Sequence, residues 1–96
     1  MKNENISFFI PIEGAPLWMD SFSIASDATN VNGAYLFVDY MLKKESAAMN
    51  ANFTWYGTTN SAAVSLIEEE LLADETINPP DKIRSLCQFY YVPDEN

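Results

Sequence analysis

The sequence predicts an α/β fold in partial form: an incomplete sheet with helices packed against it. One continuous apolar stripe, Val31, Ala34, Tyr35, Val38, Met41 and Leu42, repeats at helical spacing. The strand-like runs, by contrast, are few and far apart. The third observation is composition: 48% of the 96 residues are hydrophobic and 14% aromatic, too rich in core-forming side chains for a disordered acidic chain. The length allows one small domain at most. Three separated strands make a poor independent sheet, so the chain reads as a piece of something larger.

The elements follow in order. Ile6-Ser7-Phe8-Phe9-Ile10 reads as a strand stopped by Pro11, with a turn through Glu13-Gly14-Ala15-Pro16. Leu17 to Ile24 alternates over its second half, the period-2 pattern of a strand with one buried face. Asn30 is placed to cap the helix carrying the apolar stripe, which is expected to pack on the strand holding Phe22 and Ile24. Lys43 and Lys44 fall in that helix's last turn, where cations complement its dipole. An Ala-rich helix follows from Glu45 to about Phe53, then a loop over Thr54 to Thr59. Asn60 or Ser61 opens a third helix through Ile67, extending toward Leu72. Asp74 to Pro80 is a connection, Asp81 to Leu86 a short helix, and Cys87 to Val92 a strand cut by Pro93.

Charge narrows the function. Five basic against fourteen acidic residues give a net charge of −9, unsuited to nucleic acid or an anionic membrane surface and suited to a cationic ligand or partner. With no His, the common catalytic triads, His bases and most zinc or iron sites are excluded. No metal or cofactor is implied. The single Cys87 has no internal disulfide partner. Nothing near Met1 reads as a signal peptide. The uncharged run Ser46 to Ile67 is too polar for a membrane span, with three each of Asn, Thr and Ser.

An aromatic face beside a carboxylate suits an organic cation, through ion pairing and cation–π attraction. Trp18 and Asp20 are the tightest such pair, and in an ideal strand they share a face. Against this stands the reading of Trp18 as core and Asp20 as a strand-end carboxylate. Trp55 and Tyr56, ahead of a permissive Gly57, are either ligand contacts or plugs beneath a loop. Glu68-Glu69-Glu70 reads as a solvated helix face. Asn5-Ile6-Ser7 and Asn52-Phe53-Thr54 match the glycosylation triplet, which is frequent by chance. Glu13 and Asp20 are the only acid/base pair on offer, and no nucleophile or metal accompanies them; the chain is not expected to be an enzyme.

Several of these pieces, taken together, resemble one family. Ile10-Pro11-Ile12-Glu13-Gly14-Ala15-Pro16-Leu17-Trp18-Met19-Asp20-Ser21 resembles the "IPKEG…WMDS" segment of the spermidine/putrescine-binding proteins of bacterial ABC importers. Ala34 to Lys43 is similar to that family's "A…F[IV][DN][FY][LM]L" helix. Ala47-Ala48 falls where its Ala-rich helix follows. Tyr56-Gly57-Thr58-Thr59-Asn60-Ser61-Ala62-Ala63 resembles its "GYxTPNxAA" loop and helix start, and Pro79-Pro80-Asp81 its late "YPP[DE]". Two departures stand out: Trp55 replaces the family's Gly before the loop Tyr, and Thr59 its Pro.

The resemblance implies a type II periplasmic-binding-protein fold, two α/β lobes closing around a polyamine, of which residues 1–96 form a C-terminal fragment. By that likeness residues of about 6–16 and 66–96 belong to lobe two and about 20–65 to lobe one. It implies a periplasmic, extracytoplasmic receptor that delivers putrescine or spermidine to the permease subunits of an ABC importer, with no chemistry performed. It also implies the ligand residues: Trp18 packs on the methylene chain, Asp20 pairs with an ammonium, and Tyr56 lines the cleft. Gln88 corresponds to a family Gln near the last strand, with Phe89 the rival register. The alternatives are a non-binding remnant or interaction fragment, and the same fold serving another organic cation. Self-association of an isolated fragment is expected from its open strand edges.

Overall fold

The computed structural model describes residues 5–89. Seven elements follow one another: β1 (Pro16–Leu17), α1 (Val31–Leu42), α2 (Lys44–Thr54), a 3₁₀ helix (Ser61–Leu66), α3 (Glu69–Ala73), α4 (Asp81–Arg84) and β2 (Gln88–Phe89). The two strands pair in parallel, Pro16 opposite Gln88 and Leu17 opposite Phe89. A mixed helix and strand architecture with an open, two-stranded sheet results.

The strands are shorter than the alternation predicts. Ile6 to Pro11 and Trp18 to Ile24 are irregular, with only Pro16 and Leu17 in ladder geometry at the front of the expected second strand. Strand propensity expresses itself only against a neighbour that takes up the backbone hydrogen bonds. Tyr90, Tyr91 and Val92 of the expected last strand lie outside the described residues.

Helix α1 forms where the stripe predicts. The Asn30 side chain accepts from the Gly33 N–H at 2.9 Å, the expected N-cap. Its buried side is rotated from the predicted one, however. Ala34, Val38 and Met41 are half-buried, whereas Tyr35 and Leu42 are exposed. The contact to the preceding segment comes from Phe37, whose ring meets Phe22 edge-on with centroids 5.5 Å apart. The stripe could not foresee this, because Phe22 sits on an irregular segment rather than a strand.

At Lys43 the chain turns out of the helix (φ −63°, ψ 140°) and α2 begins at Lys44. The two lysines therefore lie outside the last turn of α1. Lys43 is its C-cap, and Lys44 opens α2 beside Glu45, 3.8 Å away. The third helix is also revised. Asn60 caps it as predicted, but Ser61–Leu66 is 3₁₀ and the chain breaks at Ile67 before α3.

The core is small. Helix α2 packs on the 3₁₀ helix, and Ala48 and Ala51, one turn apart on α2, are buried with Ala63 of the 3₁₀ helix, Ser46 and Leu71. Small side chains let the two backbones approach closely. Asparagine side chains fasten what the core cannot. Asn52 donates to the Leu66 carbonyl at 3.3 Å and accepts from the Glu68 N–H at 3.0 Å. Asn78 donates to the Leu71 carbonyl at 2.8 Å.

Much apolar surface stays exposed, notably at Ile6, Phe8, Phe9, Ile12 and Leu36. The accessible surface is 8577 Å², against about 5,500 Å² for a compact monomer of this mass. The radius of gyration is 16.6 Å, against about 12–13 Å for a compact domain of this length.

The α2–3₁₀ contact yields a stability prediction. Ala63, with no exposed surface, should not accept a larger side chain, and Ala63→Leu is expected to cost about 1–3 kcal/mol by overpacking. Ala62→Leu, on the exposed side, should stay within about 0.5 kcal/mol. Urea denaturation of the two variants makes the comparison.

Candidate functional site

The strand register brings two of the four predicted site residues into one neighbourhood. Gln88 lies opposite Pro16, and Phe89 opposite Leu17, the residue that precedes Trp18. The Gln88 backbone N–H donates to the Ala15 carbonyl at 3.2 Å. Gly14 makes this approach feasible. It turns the chain at φ +94°, and a Cβ on it would overlap the Leu86 carbonyl. Its N–H also closes the turn on the Pro11 carbonyl at 3.0 Å. Only glycine meets both demands at once.

Trp18 and Asp20 follow β1 rather than lying within it, so the same-face geometry of an ideal strand does not apply to them. Both are exposed, Trp18 by 65%. This rules against Trp18 as a core residue of the described chain.

Tyr56 belongs to the helical part of the chain. Its loop leaves α2 through Trp55, which holds the left-handed conformation at φ +58° while its N–H donates to the Ala51 carbonyl at 2.8 Å. For a bulky side chain this conformation costs on the order of 1–3 kcal/mol. It is the backbone state that glycine accepts freely. Gly57, expected to supply the freedom, does not have a positive φ. The Tyr56 N–H donates to Thr54 Oγ1 at 3.4 Å, and Thr54 in turn donates to the Asn50 carbonyl at 2.8 Å.

Tyr56, Gly57 and Thr58 cover a hollow floored by Val64, Ile67 and Leu71, with a volume of about 50 Å³. That is room for a water molecule and not for an organic ligand, whose sites usually exceed about 300 Å³. The Tyr56 ring is itself 61% exposed. A shallower depression of about 280 Å³ lies between Tyr40, Met49 and Phe53, with no carboxylate among its lining residues to hold a cation. Among the described residues no hydrogen bond or ring contact joins Trp18, Asp20, Tyr56 and Gln88 to one another. They form open surfaces, two aromatic faces and a carboxylate available to a ligand from outside.

Glu68, Glu69 and Glu70 are exposed at the start of α3, as a solvated face would be. Cys87 donates to the Ile83 carbonyl at 3.4 Å. Among the described residues no group of three acidic or cysteine side chains converges as a metal site, and no helix is long and apolar enough to cross a membrane. The residues that sequence reasoning missed are asparagines. Asn52 entered only through a glycosylation triplet, yet its amide joins α2 to the chain entering α3. Its one signal is position, near a helix end whose carbonyls need donors.

No family model matches the chain, and no solved structure gives a significant match. Curated relatives do match. The putrescine-binding periplasmic protein of Escherichia coli is 36% identical over 81 residues, 84% of this chain and 22% of that protein. A putrescine-binding periplasmic protein of Pseudomonas aeruginosa is 32% identical over 94 residues, 97% of this chain and 25% of its own length. The spermidine/putrescine-binding periplasmic protein 1 of Haemophilus influenzae is 32% identical, across 88% of this chain and 26% of its length. The chain thus spans about a quarter of the length of the curated relatives it matches, and over that segment it is homologous to the polyamine-binding periplasmic proteins.

The Gly14 turn gives the test of this geometry. Gly14→Ala adds a Cβ at positive φ and against backbone, at a cost of about 1–3 kcal/mol. Nuclear Overhauser contacts between Ala15 and Gln88 should vanish while those between α2 and the 3₁₀ helix persist.

Proposed function

We propose, from this homology, that the chain supplies one part of a site that captures a linear polyamine, putrescine or spermidine. The single observation carrying this reading is the identity of 32–36% to proteins named for these ligands, running over 84–97% of the chain in the three relatives described. The reading assigns Asp20 to an ammonium group, the Trp18 and Tyr56 rings to the methylene chain, and Gln88 to a hydrogen bond with an amine. Phe89 remains the rival for Gln88's place.

The chemistry of the surface agrees. Carboxylate and ammonium form a charge-assisted pair, and an aromatic face adds roughly 0.5–2 kcal/mol to a cation it covers. The net charge of −9 draws a dication toward the surface before contact. Capture is reversible binding, and no bond is made or broken. On this reading the protein serves as the extracytoplasmic receptor of an ABC importer, handing the polyamine to permease subunits in the membrane.

The same reading includes the type II binding-protein architecture, with residues of about 6–16 and 66–96 in one lobe and about 20–65 in the other. The exposed Ile6, Phe8, Phe9 and Ile12 then pack against further receptor polypeptide, which also closes the second side of the cleft. Without that cover the same apolar surface favours self-association.

The test is a receptor-length protein, made by grafting this segment in place of the matched quarter of the Escherichia coli relative. Calorimetry with putrescine should show binding, and Asp20→Asn should weaken it by roughly 2–5 kcal/mol, because the ammonium loses its charged partner in a desolvated cleft. Trp18→Ala should cost less, through lost packing. If Asp20→Asn binds within about twofold of the parent, under roughly 0.4 kcal/mol, Asp20 is not the ammonium's partner.

A further inference from the structure

Asn60 uses every hydrogen-bonding group it has, and each bond fixes a different piece of chain. Its side-chain amide donates to the Leu42 carbonyl at 2.8 Å, 18 residues back at the end of α1. Its side-chain oxygen accepts from the Ala62 N–H at 3.1 Å, capping the 3₁₀ helix. Its backbone N–H donates to Thr58 Oγ1 at 3.1 Å, inside the loop. Its carbonyl accepts from the Ala63 N–H at 3.0 Å. The Leu42 carbonyl is one of those a helix leaves unpaired at its C-terminus, so the bond is part of α1's termination as well.

Upstream of Asn60, Tyr56 is tied by one long bond from its N–H to Thr54 Oγ1, 3.4 Å. A Cβ on Gly57 would meet only the Ile77 carbonyl, at 3.9 Å. We propose that Asn60 is a positioning residue for the Tyr56 loop: its side chain is the strut that spaces the loop from the α1–α2 junction and so sets where the Tyr56 ring is presented. A side chain held this way reaches a ligand without first ordering the loop, and the ordering cost is removed from binding. The positional claim stands on hydrogen bonds alone, whereas its consequence for a ligand rests on the polyamine reading.

Asn60→Ser separates strut from cap. A serine hydroxyl still caps the Ala62 N–H and adds no charge, but it is too short to reach Leu42. In the 96-residue chain, amide hydrogen exchange at position 60, whose N–H is bonded to Thr58 Oγ1 inside the loop, should accelerate at least tenfold, with Ala51 to Trp55 within twofold of the parent. Asn60→Asp, of the same shape with an oxygen now facing the carbonyl, should act in the same direction. Putrescine titrations followed by NMR supply the second readout. Asn60→Ser should weaken binding threefold or more, and that difference should disappear in the Tyr56→Ala background. Unchanged exchange at position 60, or a threefold loss that survives removal of Tyr56, overturns the assignment. A parent chain and a grafted receptor both indifferent to putrescine would count against the polyamine reading instead, and the exchange rates would still decide the role of Asn60.

Discussion

The close approach of α2 to the 3₁₀ helix, made by Ala48, Ala51 and Ala63, is the contact on which the remaining structure depends. Few other side chains of the described residues are fully removed from water. Small residues bury little apolar area each, at roughly 25 cal/mol per Å², so the contact is modest in energy and exacting in geometry. It fixes where α2 ends and where the 3₁₀ helix starts, and therefore both ends of the loop that carries Tyr56. Asn52, Asn60 and Asn78 extend this by donating to carbonyls at or near the ends of neighbouring helices. Each bond satisfies a carbonyl that would otherwise depend on water.

The strand side is organised by another constraint. Gly14, at positive φ and against the Leu86 backbone, lets β1 and β2 meet, and the resulting register puts Gln88 near Trp18. The proposed site residues therefore come from two places: Gln88 in the short sheet with Trp18 and Asp20 on the chain that leaves it, and Tyr56 at the helical corner. Exposed aromatic rings in both places would be a liability in a free-standing domain. On the proposed reading they are cleft walls facing a ligand and the further polypeptide of a longer receptor.

The sequence made α1 legible because a cap and a seven-residue repeat are local. Asn30 and the Val31 to Leu42 stripe needed no knowledge of the partner, although the choice of Phe37 over Tyr35 as the contact did. The strands failed for the converse reason. Phe8, Phe9, Phe22 and Ile24 have strand-like chemistry, but pairing depends on a neighbour that composition cannot supply. The break at Lys43 was hidden by two lysines that also suit a helix end. At the candidate site, the resemblance pointed to Trp18, Asp20, Tyr56 and Gln88. The long-range amide bonds of Asn52 and Asn60 had no signal beyond the residue type and a place near a helix end, and the left-handed Trp55 became intelligible only with its φ in hand.

The hierarchy implied by these contacts is open to direct measurement. Residue-resolved amide hydrogen exchange of the chain should find its slowest sites in the second half of α2 and at Ala63 to Ile67. Gln88 and the residues around Leu17 should exchange faster, because two ladder positions give little protection. Slowest exchange at the β1–β2 pairing, with α2 and the 3₁₀ helix opening first, would contradict the view that the alanine contact holds the segment together.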